Sequence, residues 1–129
     1  MMIVWILPGT VHAIHKRQIA EHGGIDGVRD DGLLQSALAR PKNLAAYTND
    51  VDLAGLAASY AFGIAKNHPF LDGNKRTALV VAETFLMLNG HDFYADASET
   101  YMQFLGLADG TVSEEELAKW IRQHLAELR

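Results

Sequence analysis

Nine consecutive residues, His68-Pro69-Phe70-Leu71-Asp72-Gly73-Asn74-Lys75-Arg76, bring an imidazole, a carboxylate, a glycine, an amide and two cations into one short stretch. An imidazole accepts protons near neutral pH, so His68 is the candidate general base. Asp72 is a hard oxygen donor beside cations, suited to hold a magnesium ion that travels with a nucleotide. Gly73 allows close approach of backbone to a ligand. Asn74, Lys75 and Arg76 add donors and positive charge for phosphate oxygens. The almost wholly apolar run Thr77–Leu88 comes next. It predicts a buried helix whose free first-turn N–H groups and positive dipole end face the polar loop, an arrangement that binds anions. Lys and Arg on a first turn oppose the dipole unless an anion joins them. Singly, each residue has an ordinary structural reading, a loop His before Pro or an Asp-Gly-Asn turn. Together they point to a phosphate- or nucleotide-transfer site.

The flanking elements must hold that loop. A helix from Val51 to about Asn67, with Asp50 as its N-cap, delivers the chain to His68. Its apolar face carries Leu53, Leu56, Ala57, Tyr60, Ala61 and Ile64, and its many small residues permit close helix packing. Phe70 reads as an inward anchor that rigidifies the loop. The helix from Gly73 to about Asn89 is hydrophobic nearly all round and reads as the central one, with Gly90 at its C′ position. Glu83 in that helix needs a partner if it is buried.

Upstream, Met1–Leu7 is too short to span a bilayer and lacks a basic lead-in, so it reads as an extended arm on the core, with a short strand as the other reading, and neither signal peptide nor anchor. A helix begins near Thr10 behind Pro8 and stops at Gly23-Gly24. His12 and His15 share a face but lack a third metal ligand, so they read as solvated histidines. Gly23–Gly32 is a glycine-rich connector with no dinucleotide fingerprint. Its Arg29 reads as a surface cation, with support of the site as the other reading. Asp30 or Asp31 caps a short helix from Leu33 to about Arg40 that Pro41 ends, and Lys42–Asn49 is a polar connection with room for a further turn at Ala45, Ala46 and Tyr47. Downstream, His91–Ala95 is a connector. Asp96 or Ser98 opens a helix through Leu107 with Tyr101, Phe104 and Leu105 facing the core. Ser113 and Glu116 form a capping box for the last helix, whose apolar side is Leu117, Trp120, Ile121, His124, Leu125 and Leu128.

At 129 residues, about half of them apolar, the chain fits one domain, able to bury roughly two-thirds of its unfolded surface. The expected architecture is all-α: a compact bundle of about six helices around a buried central helix, spanning residues 1–129. With no cysteine there is no disulfide framework or thiol chemistry, which is compatible with a cytoplasmic protein. The net charge of −5 argues against a direct nucleic-acid binder. Against that background Lys66, Lys75 and Arg76 form a local basic cluster suited to a nucleotide.

His68–Arg76 closely resembles the Fic/Doc signature, H-x-F-x-(D or E)-G-N-x-R. Gly23-Gly24-Ile25-Asp26-Gly27-Val28-Arg29-Asp30, followed by Gly32–Ala37 and Arg40-Pro41, resembles the N-terminal half of the Doc (death-on-curing) branch. The resemblance covers most of the chain and implies the Fic/Doc-like fold. Most Fic enzymes that transfer AMP carry a second Gly where this chain has Lys75 and a second Arg where it has Leu79; both departures resemble the Doc branch. In that branch the altered anion loop goes with a reversed nucleotide, whose terminal phosphate faces the target hydroxyl. The resemblance thus implies a kinase-like toxin that uses ATP and Mg2+, acts on elongation factor Tu to block translation, and is held in check by a cognate antitoxin. The family's self-blocking pattern (Ser or Thr, three residues, Glu, then Gly or Asn) has no convincing place here, so inhibition comes from outside. Physically, Lys in place of Gly fills room that one phosphate pose needs and adds charge that another can use. The spacing alone does not choose between phosphoryl and AMP transfer. A catalytically silent binding module and a ribonuclease using His68 with Lys75 are the readings from other classes; the intact motif weighs against the first, acidic charge and a missing second base against the second.

Overall fold

A computed structural model of the chain describes residues 2–127. In order these form α1 (Pro8–His22), α2 (Asp31–Tyr47), α3 (Leu53–Asn67), α4 (Asn74–Leu88), β1 (His91–Phe93), α5 (Ala97–Asp109), α6 (Glu114–Gln123) and β2 (Leu125–Glu127). The all-α bundle of six helices expected from the sequence is the fold observed.

The helix at its centre is α3, not α4. Eleven of the 15 residues of α3 are buried, among them Leu56, Tyr60 and Ile64, and each large apolar side chain so buried contributes about 1.5–3 kcal/mol. Its Ala, Ser and Gly positions let neighbours approach from several sides: a Cβ on Gly63 would lie 3.1 Å from Ala37 Cα in α2. By contrast α4 buries Asn74, Thr77, Ala78, Val81, Ala82, Phe85 and Leu86 but exposes Lys75, Arg76, Met87 and Leu88. Apolar composition overstated its burial because Met87 and Leu88 point outward. The N-cap of α3 is Asp52, which accepts from Gly55 N–H at 2.9 Å, two residues beyond the expected Asp50.

Pro41 does not end α2. The helix passes through it to Tyr47, so the expected polar connection 42–49 is mostly helical. An interior proline costs about 3 kcal/mol. Burial of Leu34, Ala37, Leu38 and Pro41 itself, with Leu44 and Ala45 packed on the core beyond it, offsets that cost. Arg40, the residue that a following proline disfavours in a helix, is anchored by a two-pronged ion pair with Glu114 at 2.6 and 2.7 Å and lies 4.7 Å over Phe62.

The N-terminal arm is extended but forms no strand. Asn89 substitutes for a partner strand, accepting from Val4 N–H at 2.8 Å and donating to Val4 O at 2.9 Å, while Trp5 stacks on Phe85. The capping box of Ser113 and Glu116 is present. The last helix stops at Gln123, earlier than expected, because Leu125–Glu127 pair antiparallel with β1, making a strand of what reads as a connector. Leu128 lies outside the described residues. On α5, Phe104 is buried as expected, Leu105 is only half-buried, and Tyr101 turns outward, 61% exposed. No helix among the described residues is long and apolar enough to cross a membrane.

Candidate active site

The motif loop leaves α3 through His68, whose backbone is left-handed (φ 48°, ψ 55°), and enters α4 through Gly73, also left-handed (φ 75°). Between them Phe70 points inward and is 1% exposed. Asn74 closes the loop on itself. Its Oδ1 accepts from Phe70 N–H and its Nδ2 donates to Phe70 O, both at 3.0 Å. The Phe70 peptide therefore fixes which end of the amide is which, and Nδ2 also faces His68 Nδ1 at 3.4 Å. The expectation that the Asn74 side chain binds phosphate is corrected: its amide, 5% exposed, is occupied in holding the loop.

Two further supports come from outside the motif. His15, read from the sequence as solvated, is 3% exposed. Its ring stacks on Phe70 with centroids 3.8 Å apart and planes 7° apart. Its Nε2–H donates to Asp72 O at 2.8 Å, and Nδ1 stands 3.8 Å from Asp26 Oδ1. His12 is exposed as expected, its ring edge-on to Phe70. The glycine-rich connector runs antiparallel beside the loop: Arg29 and Asp30 N–H donate to Pro69 O, and Leu71 N–H donates to Gly27 O. Arg29 takes the supporting role, not that of an idle surface cation. Its Nε donates to His68 O at 2.6 Å and its Nη2 to Asn67 O at 2.7 Å. The signals were present, a His about two turns before a glycine pair and an Arg among glycines, but nothing in their spacing gives the 57- and 39-residue separations they bridge.

The ligand-facing side is different in kind. His68, Lys75 and Arg76 are exposed, and the N–H groups of Asn74, Lys75 and Arg76, at the start of α4, have no acceptor among the described residues. Asp72, Gly73, Asn74, Lys75, Arg76 and Tyr101 line one open cavity of about 220 Å³. Tyr101 was expected in the core and instead forms its wall. Lys66 is not part of that lining. It ends α3 beside Gly110, and with Lys75 helps hold the Asp109 carboxyl below the usual carboxylate range, after the larger effect of hydrogen bonds from Thr111. Asp72 is exposed, with Oδ1 accepting from Gly73 N–H at 2.9 Å and Oδ2 from Ile25 N–H at 3.3 Å. No three acidic, His or Cys side chains gather into a metal cage among the described residues. One carboxylate beside a cavity lined by two cations nevertheless fits magnesium, which takes one or two protein carboxylates and fills its sphere with phosphate and water. Among the described residues Glu83 finds no hydrogen-bond partner; burial, then the nearby Asp92 carboxylate, push its carboxyl above the ordinary range.

The sequence model of the Fic/DOC family matches residues 5–86, the span from the N-terminal arm through most of α4. The chain is 34% identical over 118 residues to the "Protein kinase doc" of Escherichia phage P1, covering 92% of this chain and 93% of that protein. It is 42% identical over 95 residues to the "Toxin Doc" of Mycolicibacterium smegmatis (strain ATCC 700084 / mc(2)155), covering 67% of this chain and 71% of that protein. With the whole motif assembled into one loop and relatives of this extent on both sides of it, the chain belongs to the Fic/Doc family, in its Doc branch.

Proposed function

We propose that this protein is the toxin of a toxin–antitoxin pair and transfers the terminal phosphoryl group of ATP to a hydroxyl of a target protein, elongation factor Tu, blocking translation in the cytoplasm. The observation that carries this reading is the single cavity in which Asp72, Lys75, Arg76 and the unpaired N–H groups of α4 converge. Its chemistry suits a triphosphate: fixed N–H dipoles and two cations for the oxygens, with a carboxylate for the accompanying metal. The similarity to a protein named as a kinase favours phosphoryl over AMP transfer.

Phosphoryl transfer asks a protein mainly for positioning and charge neutralisation. Lys75, Arg76 and the first-turn amides hold the phosphate chain against α4. Asp72 would hold Mg2+, which when bound neutralises charge across neighbouring phosphates. His68 stands exposed at the loop's other end and takes the proton as the target hydroxyl attacks the terminal phosphorus. The bond from that phosphorus to the bridging oxygen breaks, and ADP leaves. A cognate antitoxin would act by covering this open cavity.

The test uses ATP labelled at either end, with Mg2+ and purified elongation factor Tu. Label passing from the γ position to protein, and its loss in His68→Ala, are expected. Label passing only from the α position would replace the reading by AMP transfer. RNA cleavage without ATP would replace it by the ribonuclease, and toxicity unchanged in His68→Ala would replace it by a binding module.

A further inference from the structure

We propose that Arg29 is the positioning residue for His68, an inference that rests on the transfer chemistry proposed above. His68 is a non-glycine residue held in the left-handed region, φ 48° and ψ 55°. Side chains other than Asn, Asp and His seldom keep that conformation, and it persists where surrounding contacts dictate it. Two sets of contacts dictate it here. From inside, Asn74 and the buried Phe70 fix the backbone on the C-terminal side of His68. From outside, the Arg29 guanidinium takes the carbonyl oxygens of His68 and of the preceding Asn67 at 2.6 and 2.7 Å, while its own backbone N–H donates to Pro69 O at 2.7 Å. One residue thus grips three successive peptide groups, with His68 in the middle.

The guanidinium fork suits this task in a way that lysine does not, because two donors in fixed geometry set the angle between the two carbonyls as well as their distance. It also places a cation on the carbonyls that end α3, where such charge is favourable. Arg29 is exposed, does not line the cavity formed by Asp72–Arg76 and Tyr101, and contributes nothing to the apolar core. Its removal should therefore leave the fold and the phosphate site in place and release only the backbone turn at His68. A reacting group displaced by about 1 Å loses on the order of 100-fold in rate.

The experiment compares Arg29→Ala and Arg29→Lys with the parent full-length chain. We expect Arg29→Ala to lower kcat by roughly 100-fold, with nucleotide affinity within twofold of the parent. Arg29→Lys should fall between, and methylguanidinium added to the alanine variant should restore part of the rate. The second readout is the pair of Cα and Cβ chemical shifts of His68, which report φ and ψ: left-handed in the parent, averaged in Arg29→Ala. Unchanged kcat together with unchanged His68 shifts would overturn the proposal. So would a nucleotide affinity that falls in step with the rate, which would make Arg29 a binding residue. If the parent transfers nothing from ATP, the proposed function fails, and the His68 shifts alone still decide whether Arg29 sets that backbone.

Discussion

Substitution at His15 tests whether the motif loop is held from below by α1. The ring lies flat on Phe70 and donates to the Asp72 carbonyl, so two changes separate its two contributions. His15→Phe keeps ring size and stack but removes the donor, leaving that carbonyl without its partner. This should cost about 1 kcal/mol, the net worth of one hydrogen bond in a part-buried setting. His15→Ala removes the donor, the stack (about 0.5–1.5 kcal/mol) and the packed ring, together roughly 3 kcal/mol. At this size each kcal/mol moves the thermal midpoint by about 4 °C, so the expected shifts are about 4 °C for Phe and about 12 °C for Ala. Urea unfolding followed by circular dichroism gives the same free energies independently. Equal losses in the two variants would refute the argument that stacking on Phe70 supports the loop, and a shift under about 2 °C in His15→Ala would refute the role of His15 altogether.

Glu83 gives a pH-dependent prediction. Its folded carboxyl titrates above the unfolded one, with burial the larger cause and Asp92 the smaller, so its contribution is full below the unfolded value near pH 4.3 and is lost as pH rises through the folded value. Glu83→Gln should therefore melt higher than the parent at pH 7, with the gap closing below about pH 4 in scans across pH. Gly24 has φ 119°, and a Cβ there would sit 2.7 Å from Asp72 Oδ2. Gly24→Ala should cost about 1–2 kcal/mol in backbone strain and push the Asp72 carboxylate aside, raising the Mg2+ concentration needed for half-maximal nucleotide binding by calorimetry. The cations that face the cavity are exposed, so nucleotide affinity should fall between 0.05 and 0.5 M salt, on the order of several-fold, while the His15 and Arg29 effects on the folded loop persist at both.

The legibility of this chain divides along a physical line, between local and distant relations. The motif, the helix it opens, the inward Phe70 and the Ser113–Glu116 cap all depend on residues within a few positions of one another, and periodicity and cap chemistry report such relations directly. His15 and Arg29 act across 57 and 39 residues, and no local pattern encodes which distant carbonyl a donor will find. Pro41 and Tyr101 failed in opposite ways. Tertiary burial carried α2 through a helix breaker, and an apolar-looking position on α5 faced the cavity because Thr100, Phe104 and Leu107 already fill its buried face. The central role of α3 was signalled by its small residues, whose weight for close packing exceeded that of the larger apolar side chains of α4.

The misplacement of Asn74 shows how so short a loop can be both rigid and receptive. A donor cannot hold the loop and hold phosphate with the same N–H groups, and the structure resolves that competition by side of the chain. Inward and behind stand Asn74, His15 and Arg29, each satisfying backbone or ring atoms of residues 67–72. Outward stand Lys75, Arg76 and the free amides of α4, none of which has an acceptor among the described residues. Left alone, these outward groups are mutually unfavourable, since cations at a helix N-terminus oppose its dipole by about 0.3–1 kcal/mol each. An anion removes that repulsion without asking the loop to reorganise, because the loop was already ordered when the chain folded. On the function proposed above, capture of a highly charged ligand by nine residues would depend on partners that never touch it, and those partners lie on α1 and on the connector before α2.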